Sequence, residues 1–340
     1  MSSPSNFSLI PPSYVDNSVI ISVLIIFQIP SIICALFVLY QFIIKRELYE
    51  QLHNYAVFVL LVCSTLVITT ELPISLNYLI KSIVYPQIPG FCLFWGFWYF
   101  TTTDTLIVFM AWTSVQRHLF IFNPNVFRTK RGRLIYHYIP SSICLLYIPF
   151  MIIIFMFINP CNNTFNYMQF LCGYPCFFQQ TSVVTFHLIV NLCVPTCITV
   201  TSTFVLLLRV ISQKRKLRSS TFQWRRTRKM FIHMVTIALF YSAYWVPFST
   251  IFLLRYVSPT FLSLTSVRTF INYGGYFTAL ITPFLCLNSL PPSVFRNLKQ
   301  WIRRKFRMNH TVAPLGTITR KNTTGVVLKA VYEGKAVQAM

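Results

Sequence analysis

Long hydrophobic blocks alternate with short polar segments over most of the chain. The seven blocks cover about residues 18–44, 53–80, 90–120, 134–159, 180–210, 230–255 and 268–290. Each block approaches or exceeds the ~20 residues that an α-helix needs to cross the hydrocarbon core of a bilayer. The pattern therefore predicts an all-α membrane protein, a bundle of seven transmembrane helices.

The segments outside these blocks differ from them in composition. Residues 1–17 are polar and lack the basic start and short apolar core of a cleavable signal peptide. Residues 291–307 mix apolar positions with Arg and Lys, which predicts a short amphipathic helix on the membrane surface. Residues 308–340 are polar and aperiodic, which predicts a disordered tail. The bundle itself is expected to span 18–290 as one domain.

Composition and charge favour a membrane environment over nucleic-acid binding. Hydrophobic residues make up 55% of the chain and charged residues 10%, which is too little polar surface for a soluble domain of this length. The formal net charge is +23, but Lys and Arg concentrate in alternate loops and near the C-terminus. The positive-inside rule then predicts an extracellular N-terminus and a cytoplasmic C-terminus. Anionic membrane lipids and cytoplasmic partners, not nucleic acid, are the expected targets of these cations.

The third hydrophobic block carries the most specific signal in the chain. Cys92 and Arg117 stand at its two ends, roughly 37 Å apart along a helix that rises ~1.5 Å per residue. Pro124 follows Arg117 where a loop would leave the helix. This arrangement resembles the third transmembrane helix of the rhodopsin-like (class A) G-protein-coupled receptors.

Prolines in the other blocks agree with this resemblance. Trp245 and Pro247 in the sixth block are similar to the Trp-x-Pro of the family, in which proline kinks the helix. Pro73, Pro195 and Pro283 also fall where the family has prolines. Each match is weak alone, and together they extend the resemblance over about residues 18–307.

The resemblance implies a disulfide between Cys92 and the loop before the fifth helix. Cys172 is the expected partner, with Cys176 as the alternative, and Cys161 and Cys176 could then form a second bridge within the loop. The resemblance and the predicted topology also make Asn6 and Asn162, each in an Asn-x-Ser/Thr sequence, candidate glycosylation sites.

The residues that the family uses for coupling and switching depart from the family pattern in part. The corresponding positions here are Gln116, Arg117, His118, Pro124, Trp245, Pro247 and Pro283. Gln116 replaces the acidic residue of the family, and no acidic residue occurs between Asp104 and Glu333. Because Arg117 therefore lacks the ionic restraint that holds many family members inactive, we predict elevated basal activity.

Two acidic residues lie inside the predicted spans, Glu71 in the second and Asp104 in the third. An intramembrane carboxylate costs roughly 2.5–3.5 kcal/mol on insertion scales, so both should face the bundle interior. Each could contact a cationic group of a ligand or, when protonated, form an interhelical hydrogen bond. The residues expected to form the ligand site are Glu71, Tyr99, Asp104, Trp245, Phe248, Asn272 and Tyr276.

The resemblance implies a plasma-membrane receptor that binds an extracellular ligand and activates a heterotrimeric G protein through the inner ends of its third, fifth and sixth helices. The ligand could be a peptide or a small molecule. Tyr99 stands where amine receptors carry their amine-binding aspartate, which favours a short peptide. Arrestin and a receptor kinase are further partners expected at the tail.

Two alternatives remain open from the sequence: a seven-helix channel or transporter, and a receptor-like protein with weak or no G-protein coupling. An enzyme is not expected, because no nucleophile–base arrangement is apparent. The histidines lie on different segments without metal-like spacing or nearby acids, so neither a metal nor a cofactor is predicted.

Overall fold

Seven long helices dominate the part of the chain that the computed structural model describes. That part comprises residues 14–45, 52–216, 221–257 and 265–287, the single positions 290, 294 and 296, and the segments 318–321 and 327–330. Four of the helices are uninterrupted, and three contain wider, π-helical turns.

The four uninterrupted helices have simple bounds. They are α1 (Tyr14–Ile44), α3 (Pro89–Phe122), α6 (Thr221–Val257) and α7 (Thr265–Leu287). Each interrupted helix is a series of consecutive segments. Helix α2 comprises Leu52–Leu66, a π-helical turn at Val67–Glu71 and Leu72–Lys81. Helix α4 comprises Lys130–Arg133, a π-helical turn at Leu134–Tyr138, Ile139–Ile153 and a π-helical turn at Ile154–Ile158. Helix α5 comprises Thr181–His187, a π-helical turn at Leu188–Cys193 and Val194–Lys216.

The helices pack around α3, which contacts α2, α4 and α5. Helix α7 contacts α1, α2 and α6, and α6 also contacts α5, so the bundle closes on itself. Fully buried large side chains include Trp95 and Phe109 of α3 and Tyr241 of α6. The core therefore lies along α3 and the inward faces of the other helices.

The hydropathy of the helices agrees with a multi-pass membrane protein. Among the described residues, four helical stretches are long and apolar enough to cross a membrane: Ser18–Ile44, Asn54–Lys81, Lys130–Ile158 and Thr181–Val210. Large apolar side chains such as Ile26, Ile33 and Leu146 are more than half exposed on these helices, as side chains facing lipid would be. Helix α3 contains more Thr and Trp and lies centrally, where fewer of its side chains face outward.

The C-terminal part of the chain forms a separate unit, Leu290–Met340. Within the unit Leu290–Met340, β1 (Ile318–Lys321) pairs antiparallel with β2 (Val327–Ala330), and Ile318 lies opposite Ala330. These two strands differ from the disorder predicted for 308–340. The N-terminal segment, and most of the amphipathic helix predicted over 291–307, lie outside the described residues, so both stay predictions.

Candidate functional site

Two disulfides fix the loop between α4 and α5. The Cα atoms of Cys92 and Cys172 are 5.8 Å apart in the first, and those of Cys161 and Cys176 are 5.9 Å apart in the second. These are the pairings expected from the sequence, with Cys172 and not Cys176 bonded to α3. We call this end of the bundle the disulfide end, and the end with Arg117 the arginine end.

The loop turns sharply at the first disulfide, and this turn directs aromatic rings toward the helices. Leu171, Cys172 and Tyr174 have φ values of 52°, 56° and 67°, a left-handed conformation that is uncommon outside glycine. Phe170, just before the turn, packs edge-on against Trp95 of α3 with a centroid distance of 5.4 Å. The disulfide and these contacts hold the loop against the disulfide end of the bundle.

A cavity lies beneath this loop, among α3, α5, α6 and α7. It encloses about 840 Å³ of empty space, counting solvent at its open mouth. The aromatic residues that line it are Tyr99, Phe100, Tyr174, Phe178, Tyr244, Trp245, Phe248 and Tyr276. Asp104 is the acidic residue in the described lining, and no Lys or Arg side chain contributes to that lining.

The structure brings most of the predicted ligand residues together at this cavity. Those that line it are Tyr99, Asp104, Trp245, Phe248 and Tyr276. Asn272 belongs to α7, but its side chain lies outside the described residues. Glu71 is not part of the cavity wall, and its connection to the cavity runs through Tyr276.

Glu71 is enclosed by hydroxyl groups rather than by the cavity. It is 1% exposed, and its Oε1 atom accepts hydrogen bonds from Ser75 Oγ at 2.9 Å and from the Tyr276 hydroxyl. The two hydroxyl oxygens are themselves 2.7 Å apart. If both hydroxyl groups donate to Oε1, no hydrogen is left for the contact between them, whereas a protonated Oε1 that donates to one hydroxyl group allows all three contacts. The geometry therefore favours the interhelical hydrogen bond over direct ligand contact for Glu71.

Trp95 completes the surroundings of this carboxyl group. Its buried indole N–H is close enough to influence the Glu71 carboxyl but makes no hydrogen bond of good geometry with it. Glu71 thus joins α2 to α7 beside α3, one side chain away from the cavity.

Asp104 has a different environment, because its carboxyl group lines the cavity and faces a histidine. Its Oδ2 atom lies 3.5 Å from Nε2 of His187 on α5 and has no hydrogen bond of good geometry. The side chains of Asp104 and His187 are 9% and 5% exposed. The expectation that no histidine lies near an acid was wrong, because helices distant in sequence bring these two residues together.

At the arginine end, hydrogen bonds tie α3 to its neighbours on both sides of Arg117. Gln116 is hydrogen-bonded to Nδ1 of His137 on α4. His118 Nε2 donates to the backbone carbonyl of Ser202 on α5 at 2.8 Å. Arg117 itself is 7% exposed, and Pro124 begins the 3₁₀ turn Pro124–Arg128 after α3 ends. The family's acidic position is thus occupied by a neutral interhelical contact.

The fold and these features agree with a comparison of the whole chain with known families. The model of the "7 transmembrane receptor (rhodopsin family)" matches residues 19–286, most of the chain. The chain belongs to the rhodopsin family of seven-transmembrane receptors. No curated protein matches it. The receptor is therefore a multi-pass membrane protein of a family that binds extracellular ligands and acts on G proteins.

Trp245 lies between the receptor's main cavity and a second, smaller cavity toward the arginine end. The smaller cavity encloses about 210 Å³ of empty space, and Ile107 and Trp245 contribute to both. The indole N–H of Trp245 is buried and has no hydrogen-bond partner among the described residues, and Pro247 lies two positions later within α6. Trp245 therefore borders a cavity on each side, and no described residue fixes its N–H by a hydrogen bond.

Several residues of the receptor's cavity were not predicted from the sequence. They are Phe100, Tyr174, Phe178, His187 and Tyr244. Tyr174 and Phe178 come from the loop, whose path depends on the disulfides. His187 had a usable signal, because a polar residue inside a hydrophobic span usually faces the bundle interior. Asn162 is exposed in the same loop, and its glycosylation stays a prediction.

Proposed function

We propose that this protein is a plasma-membrane receptor that binds its ligand in the main cavity and activates a heterotrimeric G protein. The disulfide end is then extracellular and the arginine end cytoplasmic, as the positive-inside rule predicts. Arrestin and a receptor kinase would act at the cytoplasmic tail, and anionic lipids would face the basic loops.

The observation that carries this proposal is the position of Trp245. Its ring forms part of the ligand cavity, Pro247 lies two positions later in α6, and the part of α6 that precedes Trp245 runs to the arginine end. A ligand that displaces this ring would bias α6 between two positions, because proline removes a backbone hydrogen bond and weakens the helix there. Displacement of α6 at the arginine end would open space beside Arg117 for a G protein.

The chemistry of the cavity supports a ligand with a positively charged nitrogen. Asp104 contributes a carboxyl group, the described lining holds no Lys or Arg, and eight aromatic side chains surround the space. A carboxylate and aromatic faces both attract cations. A short peptide with a terminal amine or a basic side chain, and a small organic amine, share this group. The sequence favours the peptide.

Nucleotide exchange in membranes tests the proposal before any ligand is known. Membranes that contain the receptor and purified G-protein heterotrimers should exchange nucleotide faster than membranes without receptor, and Arg117→Ala should remove the increase. Arg128→Ala is the matched control, because it removes an exposed charge from the same end. Ion flux through the wild-type protein without nucleotide exchange would instead favour a channel and overturn the proposal.

A further inference from the structure

Polar side chains from three helices form a continuous series beside the cavity. The Tyr147 hydroxyl on α4 donates to Oδ1 of Asn191 on α5 at 3.0 Å. Nδ2 of Asn191 lies 3.1 Å from Nδ1 of His187, one turn earlier on α5. Nε2 of His187 lies 3.5 Å from Oδ2 of Asp104 on α3. We call these four residues the relay.

The centre of the relay is buried. Asn191 and His187 are 0% and 4% exposed. Four phenylalanine rings surround the imidazole, with centroid distances of 5.7–6.1 Å. These rings are Phe100 of α3, Phe155 of α4, and Phe177 and Phe178 of the loop. Because they offer no hydrogen bonds, the polar atoms of His187 depend on the members of the relay.

The hydrogen atoms of the relay can be assigned in order, starting at Asp104 and ending at Tyr147. A neutral imidazole carries one N–H, and attraction to Asp104 favours that hydrogen on Nε2. Nδ1 is then an acceptor, so Asn191 must present its NH₂ group to it. The Asn191 carbonyl oxygen is left for Tyr147, whose hydroxyl donates to it. In this arrangement every donor in the relay faces an acceptor, from Tyr147 on α4 to Asp104 at the cavity.

We propose that Tyr147 and Asn191 are positioning residues that hold His187 as the Nε2–H tautomer and thereby direct its N–H toward Asp104, the carboxyl group that lines the ligand cavity. The inference rests on the proposed ligand cavity, since Asp104 and His187 line it. Neither Tyr147 nor Asn191 belongs to the described lining, so both act through His187. Helix α4, which does not contribute to that lining, would in this way influence what the cavity binds.

The test is the ¹⁵N NMR spectrum of the purified receptor labelled at histidine. The His187 signals are identified by their loss in His187→Gln. We expect a neutral ring with its hydrogen on Nε2 in the wild type. Asn191→Leu should replace this single form by a mixture of tautomers, and Tyr147→Phe should change the Nδ1 shift by a smaller amount. A merely structural role of either residue would leave the tautomer unchanged.

Tyr136→Phe on the same helix is the matched control, because Tyr136 is 47% exposed. It should leave the His187 signals unchanged. If Asn191→Leu does not fold, Tyr147→Phe still tests the relay, because it removes one hydroxyl from a half-buried ring. An imidazolium, a neutral ring with its hydrogen on Nδ1, or a spectrum that neither substitution changes would overturn the inference.

Nucleotide exchange measured on the same preparations separates this inference from the proposed function. A wild-type protein that shows the Nε2–H form but no exchange retains the relay and contradicts receptor coupling. If the protein promotes nucleotide exchange but His187 is in another form, the proposed function is supported and the inference about the relay is contradicted.

Discussion

Glu71 and Asp104 both carry carboxyl groups that are buried in the bundle, but their surroundings differ and indicate different roles. Glu71 is enclosed by Ser75 and Tyr276, which offer it hydrogen bonds and join α2 to α7. Asp104 lines the cavity with one oxygen that lacks a hydrogen bond of good geometry and faces His187. Each carboxyl group has one buried oxygen without a hydrogen-bond partner among the described residues, Oε2 of Glu71 and Oδ2 of Asp104. The two acids differ in what surrounds them: hydroxyl groups that join two helices at Glu71, and a cavity with room for a ligand at Asp104.

The largest expected difference between the two acids concerns agonists that carry a positive charge. Asp104→Asn should weaken the response to such an agonist about 30-fold or more, because truncating one partner of a buried charge pair costs about 2–5 kcal/mol. Glu71→Gln should change potency less than about threefold, since the amide keeps a hydrogen-bonding group beside Tyr276. Concentration–response curves for nucleotide exchange measure both. Equal losses would remove the distinction between the acids.

Thermal unfolding of the purified protein should reverse this order. Glu71→Leu removes the acceptor that Ser75 and Tyr276 share, which leaves one buried hydroxyl hydrogen without a partner and should reduce the free energy of unfolding by about 1–3 kcal/mol. Asp104→Leu removes a carboxyl group that lacks a good hydrogen bond, so its stability should equal or exceed that of the wild type. If Asp104→Leu is the less stable variant, Asp104 is a structural residue.

A double-mutant cycle sharpens the description of Glu71. Glu71→Leu and Tyr276→Phe remove the two sides of one contact, so their effects on unfolding should not add. We expect a coupling energy of about 1 kcal/mol, as for other residues that share a hydrogen bond. The same cycle between Glu71→Leu and Tyr273→Phe, a buried tyrosine of α7 outside this cluster, is the control. Additive effects in the first cycle would mean that the contact contributes nothing measurable.

A third carboxyl group, introduced at the arginine end, can be compared with Glu71 and Asp104. Its expected effect is the smallest of those predicted here. Gln116→Glu places an acid beside Arg117 and restores the family pattern. Basal nucleotide exchange should fall about threefold, which corresponds to a bias of about 0.65 kcal/mol toward the inactive state. The effect is modest because Gln116 already ties α3 to His137. Basal exchange that is no higher in the wild type than in this variant would contradict the predicted elevated basal activity.

The sequence was sufficient to predict the helices and the end of the bundle that would hold the cavity. Hydrophobic length predicted the spans because membrane thickness sets it, and the resemblance supplied the pairing of Cys92 with Cys172. The roles of Glu71 and Asp104 were not predictable in the same way. Glu71 ends the π-helical turn Val67–Glu71, and each extra residue in a turn rotates the following side chains by ~100°. Spacing alone therefore did not show which face it occupies.

The partner of Asp104 was hidden for another reason. His187 lies 83 positions later in the chain, and its contact with Asp104 depends on how α5 packs against α3. The rings of Tyr174 and Phe178 reach the cavity only because a loop with left-handed turns is held by disulfides. Neither the packing of α5 against α3 nor the path of this loop produces a periodic pattern in the sequence.

The central claim is that Asp104, and not Glu71, faces the ligand cavity, and it can be tested without a ligand. A thiol is introduced at each position in turn with Asp104→Cys and Glu71→Cys. The purified receptors are then treated with methanethiosulfonate ethylammonium, a small cation that forms a disulfide with accessible thiolates and releases sulfinate. Peptide mass spectrometry reports modification at each position separately from the native cysteines. We predict rapid modification at position 104 and little at position 71. Faster modification at position 71 would contradict the account.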